Sequence, residues 1–382
     1  MKFAHMGDCH LGGWRQPELM ALNLKSFQYA IDCCLKEKVD FVLIAGDLFD
    51  SAYPPIEVLK DVFKEFKKLY DSNIPAFFIA GSHDYSASGK SFLDVLEKTG
   101  FAKNAHIAEE KNNVILLHPI IHKSVAIYGF PGKRSGLEVE EISKIKLDES
   151  PGFFKILMLH TALRDAVGTL PIPAVDHEKL PKVDYLALAH LHINYNRNSR
   201  VYCGPLFPNN ALELEELQGG SFYIVDTNGR IERKEIKLKE VCIVDCEVTS
   251  TVFATERILE SLKKQILKDK ILILRLKGVI EQGKIAVLRF NEIEEYTEKE
   301  GAYVLLKNLS KLNMKESEIE LTVQPQHLEE EILKKYQSSN SSIFNKNLLE
   351  LFQAFQVEKK EEERSQVFED RIFEEISKIM KI

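Results

Sequence analysis

Ile44-Ala45-Gly46-Asp47-Leu48-Phe49-Asp50 decides the reading of this chain. The run from Val39 to Ala45 is apolar and rich in β-branched residues, broken only by Asp40 and stopped by Gly46. That pattern predicts a short buried strand of a parallel sheet. Aspartate follows the glycine at once. Ligands of open α/β sheets collect beyond the carboxyl ends of the strands, which is where Asp47 stands. A carboxylate there has two oxygens and can bridge two cations, so Asp47 is expected to be such a bridge.

Neighbouring segments repeat the arrangement. Lys2 to Met6 is strand-like and runs into Gly7-Asp8-Cys9-His10. Residues 23 to 37 carry helical periodicity through Leu24, Phe27, Ala30, Ile31 and Leu35. After Pro54-Pro55, residues 56 to 70 do the same through Ile56, Leu59, Val62, Phe63, Phe66 and Leu69. Ala76 to Ala80 is a third strand, closing on Gly81-Ser82-His83-Asp84. The first third therefore reads β-α-β-α-β, and two successive parallel crossovers predict an α/β sheet.

Further strands are predicted at Val114–Leu117, Val125–Phe130, Ile156–Leu159, Tyr185–Ala189 and Phe222–Val225. Two of them end in histidine, at His160 and at His190-Leu191-His192. Beyond Asn228-Gly229 the texture changes to strand-like stretches (Val241–Val248, Ile271–Leu276, Tyr303–Leu306) among helical ones (Thr255–Leu267, Lys284–Lys299). The tail has a polar linker, Gln337–Ser342, and a first apolar stripe of Phe344, Leu348, Leu349, Leu351, Phe352 and Phe355. A charged run, Glu358–Arg364, separates it from a second stripe of Phe368, Ile372, Phe373, Ile376 and Ile379. Two such short amphipathic helices bury little alone and call for a partner surface. The expected domains are 1–230, a small α+β domain at 231–325, and a helical tail at 326–382.

Composition is that of a globular protein: 382 residues, 45% hydrophobic and 29% charged. No apolar run approaches a membrane span, and MKFAHMGDCH enters a strand with no signal-peptide pattern. The six cysteines show no zinc spacing, which suits a reducing interior. A net charge of −7 does not advertise nucleic-acid binding. Bound divalent cations would add local positive charge, so it does not argue against it.

Asp8, His10, Asp47, Ser82, His83, His160, His190 and His192 thus gather at or just after strand ends. Carboxylate, imidazole and hydroxyl together suit Mn²⁺, Fe²⁺ or Zn²⁺ better than an all-oxygen Mg²⁺ or Ca²⁺ cage. Two such cations sharing a carboxylate form an arrangement for in-line attack at phosphorus. A lone strand-end histidine is usually a polar cap, but this many ligand types in order are not. His5, His106, His118, His122, His177 and His327 fit no motif. Trp14-Arg15 and Lys133-Arg134 read as solvated loops, with nucleic-acid contact through charge and stacking as the alternative.

Asp8-x-His10, Gly46-Asp47-x-x-Asp50, Gly81-Ser82-His83-Asp84, His160 and His190-x-His192 resemble, in order, the signature of the calcineurin-like binuclear metallophosphoesterases. Within them, GDLFDS with its proline loop, ILMLH, ALAHLH and YCGP look most like the archaeal Mre-eleven (bacterial SbcD) DNA double-strand break repair nucleases. The likeness covers residues 1 to about 230 and extends loosely beyond. It implies a β-sandwich flanked by helices, with a small α+β capping domain and a C-terminal helical pair.

The resemblance also implies roles. One metal would be held by Asp8, His10, Asp47 and His192, the other by Asp47, Ser82, His160 and His190. His83 would face the scissile phosphate, with Asp84 orienting its imidazole. Two Mn²⁺, or other divalent cations, would serve a 3′-to-5′ exonuclease and single-strand endonuclease acting on DNA. The nuclease would be a homodimer formed through helices including 56–70. Its residues 326–382 would dock on an ABC-type ATPase of the Rad-fifty/SbcC type, inside the cell at DNA ends. The chain departs from the family at Ser82, where Asn is usual, at Ala189, where Gly is usual, and at Asp50, where relatives often carry a histidine that shapes cleavage. Ser82 implies a weaker second metal. The alternatives are a small-substrate metallophosphoesterase and a catalytically weakened scaffold subunit.

Overall fold

The computed structural model describes residues 1–86, 91–133, 136–281, 284–314, 336–337, 347–355 and 365–380. They fall into two compact units, Met1–Asn313 and Met314–Ile382.

The first unit opens with β1 (Lys2–Met6), α1 (Pro17–Glu37), β2 (Phe41–Ala45), α2 (Ile56–Asp71) and β3 (Ala76–Ile79). α1 starts six residues before its apolar periodicity does, because Pro17 sits at the first helical position, where its fixed φ and missing N–H cost nothing. It stops at Lys38, which takes a left-handed φ of 52°. β1, β2 and β3 pair in parallel, with Phe3 opposite Phe41 and Val42 opposite Ala76. Lys103–Asn104 extends the sheet on one side, and the antiparallel strands Gly220–Asp226 and Ile231–Ile236 extend it on the other, making six strands.

A second six-stranded sheet runs in the order Asn194–Arg197, Arg200–Cys203, Tyr185–Ala189, Phe154–His160, Val125–Phe130, Ile120–His122. It lies face to face with the first. The alternation of side chains along a strand explains what fills the space between. Phe3, Phe41, Leu43 and Phe77 point into the sandwich, against Ile127, Ile156, Met158, Tyr185, Ala187 and Val201. The rings of Phe3 and Phe41 stack at 5.0 Å. The alternate residues Ala4, Met6, Val42 and Ile44 face α1 and α2 and meet Phe27, Ile31, Val62 and Phe66. With both faces covered, β2 is buried along its whole length, which is why its sequence shows no polar alternation. Truncating Phe66 to alanine in such a core costs about 3–5 kcal/mol.

Residues beyond 240 form a three-stranded sheet of Val241–Glu247, Ile271–Ile280 and Val304–Met314. Helices Ala254–Lys263 and Phe290–Lys299 cover one face, where Ile258, Leu262 and Ile293 pack on Leu272, Leu274 and Leu276. The helix expected over 284–299 begins only at Phe290, after a short 3₁₀ turn at Ile285–Val287. Ile271, Ile273 and Leu306 turn the other way and join Trp14, Leu19, Leu22, Phe207 and Leu214 in one cluster. Trp14 is therefore no solvated loop residue: it is 8% exposed and its indole N–H donates to the Pro208 carbonyl at 2.8 Å. Lys133 pairs with Glu141 at 2.6 Å, and Arg134 lies outside the described residues.

In the second unit, helices Leu348–Phe355 and Ser365–Met380 carry the two apolar stripes, and Asn347 Nδ2 donates to the Ile379 carbonyl at 2.8 Å. Phe344, His327, Ser338–Ser342 and the run Glu358–Arg364 lie outside the described residues. No helix among the described residues is long and apolar enough to cross a membrane. The six cysteines are unpaired.

Candidate metal centre

Asp8 and His10 follow β1, Asp47 follows β2, Ser82 to Asp84 follow β3, His160 ends its strand, and His190 and His192 follow Tyr185–Ala189. The carboxyl ends of both sheets therefore deliver the polar groups to one place. The chain reaches it by backbone conformations that L-residues seldom adopt: φ is 47° at Asp8, 42° at His10, 49° at Asp47 and 97° at His190. Such strain persists where the surroundings impose it. Here the loops after β1 and β2 are zipped together, with Asp8 N, His10 N and Leu11 N donating to the carbonyls of Gly46, Asp47 and Leu48 at 3.0–3.1 Å.

Two glycines make room. A Cβ on Gly46, whose φ is 99°, would lie 2.4 Å from His160 Nδ1, and one on Gly81 would lie 2.2 Å from Asp47 Oδ1. Gly7 matters for a different reason. Its missing Cβ would stand 2.7 Å from the Cβ of Ala189, so the methyl group that replaces the usual glycine in the last motif is accommodated across the site.

Asp47 lies between His160 and His10. Its Oδ2 lies 3.1 Å from His160 Nε2 and 3.8 Å from His10 Nε2, and it accepts from Ser82 Oγ at 3.2 Å. Oδ1 accepts from the His83 amide at 2.8 Å. Asp8 takes the His190 amide on both oxygens, at 2.9 and 3.0 Å. Ligand-type atoms converge in three overlapping sets: Asp8, His10 and His192; Asp8, Asp47 and His160; and His10, Asp50 and His83. Asp8 thus belongs to two sets instead of one. His190 stacks edge-on against His160, with ring centroids 5.0 Å apart.

The donors fit a pair of divalent cations. His160 Nδ1 donates to the Ala45 carbonyl at 3.0 Å, which turns the buried Nε2 to Asp47 Oδ2, 3.1 Å away, so that a proton or a cation lies between them. His10 Nε2 and His192 Nε2 face each other at 3.1 Å. Each ring presents its other nitrogen to a carboxylate, His10 Nδ1 to Asp50 at 3.1 Å and His192 Nδ1 to Glu213 at 3.0 Å. Two lone pairs so close require a proton or a metal ion between them.

The electrostatics agree. Burial opposes ionising Asp47, yet the charges on His160 and His10 and the His83 amide prevail and hold its pKa well below the usual carboxylate range. Burial likewise opposes charging His160 and His192. Asp47 and Asp8 nevertheless raise the first to about 10, while Glu213 and Asp8 raise the second to about 9. Burial and the neighbouring His160 push His190 down, keeping it neutral. A pocket that draws protons this strongly draws divalent cations too, and cation uptake expels those protons.

The carboxylate of Asp84 does other work than orienting His83. It accepts from the amides of Gly81 at 2.9 Å, Phe49 at 3.1 Å and Leu48 at 3.4 Å. Burial and the charge on Asp47 raise its pKa to about 6. His83 is fixed instead by the Asp50 main chain, whose carbonyl lies 2.8 Å from Nδ1, and its ring is about half exposed.

The sequence reading passed over Glu213 and Asn209. The available signal was Asn210-x-x-Glu213, a helix-capping pattern at the start of Ala211–Leu217. Its glutamate accepts from the Asn209 amide at 2.8 Å and from the Asn210 side chain at 2.6 Å, as well as from His192. Glu138 was also missed: a buried carboxylate beside the site, it accepts from Thr161 Oγ1 at 3.1 Å.

Comparison with known proteins places this geometry. The calcineurin-like phosphoesterase family profile matches residues 1–194. The chain is similar to the DNA double-strand break repair protein Mre11 of Methanocaldococcus jannaschii, with 29% identity over 259 residues, 63% of this chain and 68% of that protein. Its likeness to Mre11 of Methanosarcina mazei is 28% over 325 residues, 80% of this chain but 49% of that protein. It is also 28% identical over 247 residues to the uncharacterized metallophosphoesterase YhaO of Bacillus subtilis, 60% of this chain and 59% of that protein.

Proposed function

The chain belongs to the calcineurin-like phosphoesterases, and from that premise we propose that it is a Mn²⁺-dependent DNA nuclease of double-strand break repair. The reading rests chiefly on one observation: the likeness to Mre11 of Methanosarcina mazei runs over 325 residues and so passes well beyond the phosphoesterase segment at 1–194.

On this reading Asp8, His10, Asp47 and His192 hold one cation, and Asp47, Ser82, His160 and His190 hold the other. The Ser82 hydroxyl proton is turned to Asp47, which leaves an oxygen lone pair for the metal. When bound, the cations supply an activated water and absorb the charge that develops at phosphorus. His83 does the rest. Nδ1–H of His83 is taken by the Asp50 carbonyl, so the ring acts as the imidazolium: its Nε2–H would hold a phosphoryl oxygen and pass its proton to the departing 3′ oxygen, leaving the neutral Nδ1–H ring. Asp84 holds the loops that present Asp47 and His83. Removal of nucleotides from 3′ ends and endonucleolytic cutting of single strands follow from the same displacement.

The proposal extends to a homodimer that uses α2, whose Ile56 and Tyr70 are exposed, and to an ABC-type ATPase of the Rad-fifty/SbcC type bound through 326–382. It places the protein inside the cell, at DNA ends.

The test compares single-stranded DNA, bis-p-nitrophenyl phosphate and a phosphopeptide as substrates with Mn²⁺ supplied. Preferential DNA cleavage is expected. Hydrolysis of the small diester or the phosphopeptide without DNA cleavage would give the small-substrate alternative. Absence of metal-dependent hydrolysis would leave the scaffold reading.

A further inference from the structure

Behind the His10–His192 pair runs a closed chain of hydrogen bonds. His10 Nδ1 meets Asp50 Oδ1 at 3.1 Å, and Asn209 Nδ2 donates to that same oxygen at 3.3 Å. The Asn209 amide donates to Glu213 Oε2 at 2.8 Å, and Glu213 Oε1 meets His192 Nδ1 at 3.0 Å. The two Nε2 atoms, 3.1 Å apart, close the ring. Its members are fixed by the main chain. Asn210 caps the helix carrying Glu213 by accepting from the Glu213 amide at 3.0 Å, and Asp50 N donates to the Leu11 carbonyl at 3.3 Å. Gly13 admits the ring: a Cβ there would stand 2.6 Å from Asn209 Oδ1 and 2.8 Å from Asp50 Cγ.

On the other side the hydrogen bond behind the ring goes to a neutral group. His160 Nδ1 rests on the Ala45 carbonyl, and the neighbouring oxygen donor is the hydroxyl of Ser82. A carboxylate behind an imidazole fixes its tautomer and makes its free nitrogen a better metal donor, and a carbonyl does so less.

We propose that Asp50 and Glu213, tied through Asn209, form a carboxylate collar that holds His10 and His192 ready for metal, so that the cation position they serve fills first and tightly while the position at Asp47, His160, His190 and Ser82 fills second. Asp50, Asn209 and Glu213 are positioning residues in this scheme. It rests on reading the pocket as a two-cation centre and is independent of the identity of the phosphoester.

The experiment titrates the full-length, chelator-treated protein with Co²⁺, following visible absorption, and repeats the titration with Mn²⁺ by electron paramagnetic resonance. Wild type should load in two separable steps. Glu213→Ala, Asp50→Ala and Asn209→Ala should each weaken the first step, by about 10- to 100-fold for the carboxylates, and leave the second unchanged. Glu213→Gln, which keeps an acceptor for the ring N–H, should restore part of the loss. His160→Ala should erase the second step and spare the first. Circular dichroism identifies any variant that fails to fold, and the remaining variants then decide. Simultaneous filling with equal affinities, or an unchanged first step in folded Glu213→Ala and Asp50→Ala, would overturn the collar while leaving the two-cation centre intact. A wild type that takes up no cation would remove both.

Discussion

Asp84 accepts a hydrogen bond from the Phe49 amide at 3.1 Å, so the loop after β3 is fastened to the loop after β2 by one buried carboxylate. Leu48 and Gly81 donate to it as well. Asp84→Ala strands these buried donors and should destabilise the protein by about 3 kcal/mol or more. Asp84→Asn, which keeps one accepting oxygen, should cost less. Urea denaturation measures both. If Asp84 served only to orient His83, activity would fall with stability untouched.

His83 belongs to the His10–Asp50–His83 set alone, and its Nδ1 there is taken by the Asp50 carbonyl at 2.8 Å. His83→Ala should therefore bind cations as wild type does and lose about 100- to 10,000-fold in phosphodiester cleavage. Parallel cation titration and single-turnover hydrolysis separate the two effects. A matching loss of cation affinity would make His83 a ligand instead.

In the proposed two-cation centre Ser82 would offer the second position a short hydroxyl where an amide oxygen would reach further. Ser82→Asn should tighten that position on the order of tenfold, about 1.4 kcal/mol, and lower the Mn²⁺ concentration needed for half-maximal activity. An unchanged metal requirement would show that residue 82 stays out of the coordination shell.

His5 lies wholly inside the sandwich, with Nδ1 2.9 Å from the Tyr185 hydroxyl, and burial pushes its pKa down to about 3. The unfolded chain takes up a proton near pH 6.5 that the folded chain refuses until about pH 3. Stability contributed by neutral His5 is thus complete above pH 6.5 and is lost as pH falls toward 3, with a slope of up to about 1.4 kcal/mol per pH unit. His5→Gln, which cannot titrate, should flatten the curve relative to wild type in that window. Urea midpoints from pH 7 to 4 give the comparison, and parallel curves would refute the assignment.

Much of this is legible in the sequence, and the reasons are local. β1, β2 and β3 are short apolar runs punctuated by glycine, and Asp8, Asp47 and His83 follow at once. Sequence adjacency to a strand end was therefore enough to place them. The collar was not legible, because Asp50, Asn209 and Glu213 meet only through the closing of the sandwich, across a separation of 159 residues. Asp84 was misread for a related reason. Its neighbour in sequence is His83, but its partners are main-chain amides of Leu48 and Phe49 that no side-chain pattern announces. Trp14 was misjudged because its polar surroundings in sequence gave no hint of Ile271 and Leu306 arriving from the far end of the unit.

The placement of the proposed ligands on the two sheets has a mechanical consequence. Asp8, His10 and Asp47 hang from one layer and His160, His190 and His192 from the other, so any ion held by both groups is a rivet through the sandwich. Peeling the layers apart must first expel it. Saturating Mn²⁺ at a hundred times its dissociation constant adds about 2.7 kcal/mol per site, and chelation should lower the melting temperature by several degrees. Heat resistance then becomes a gauge of how many rivets are in place, readable without any substrate.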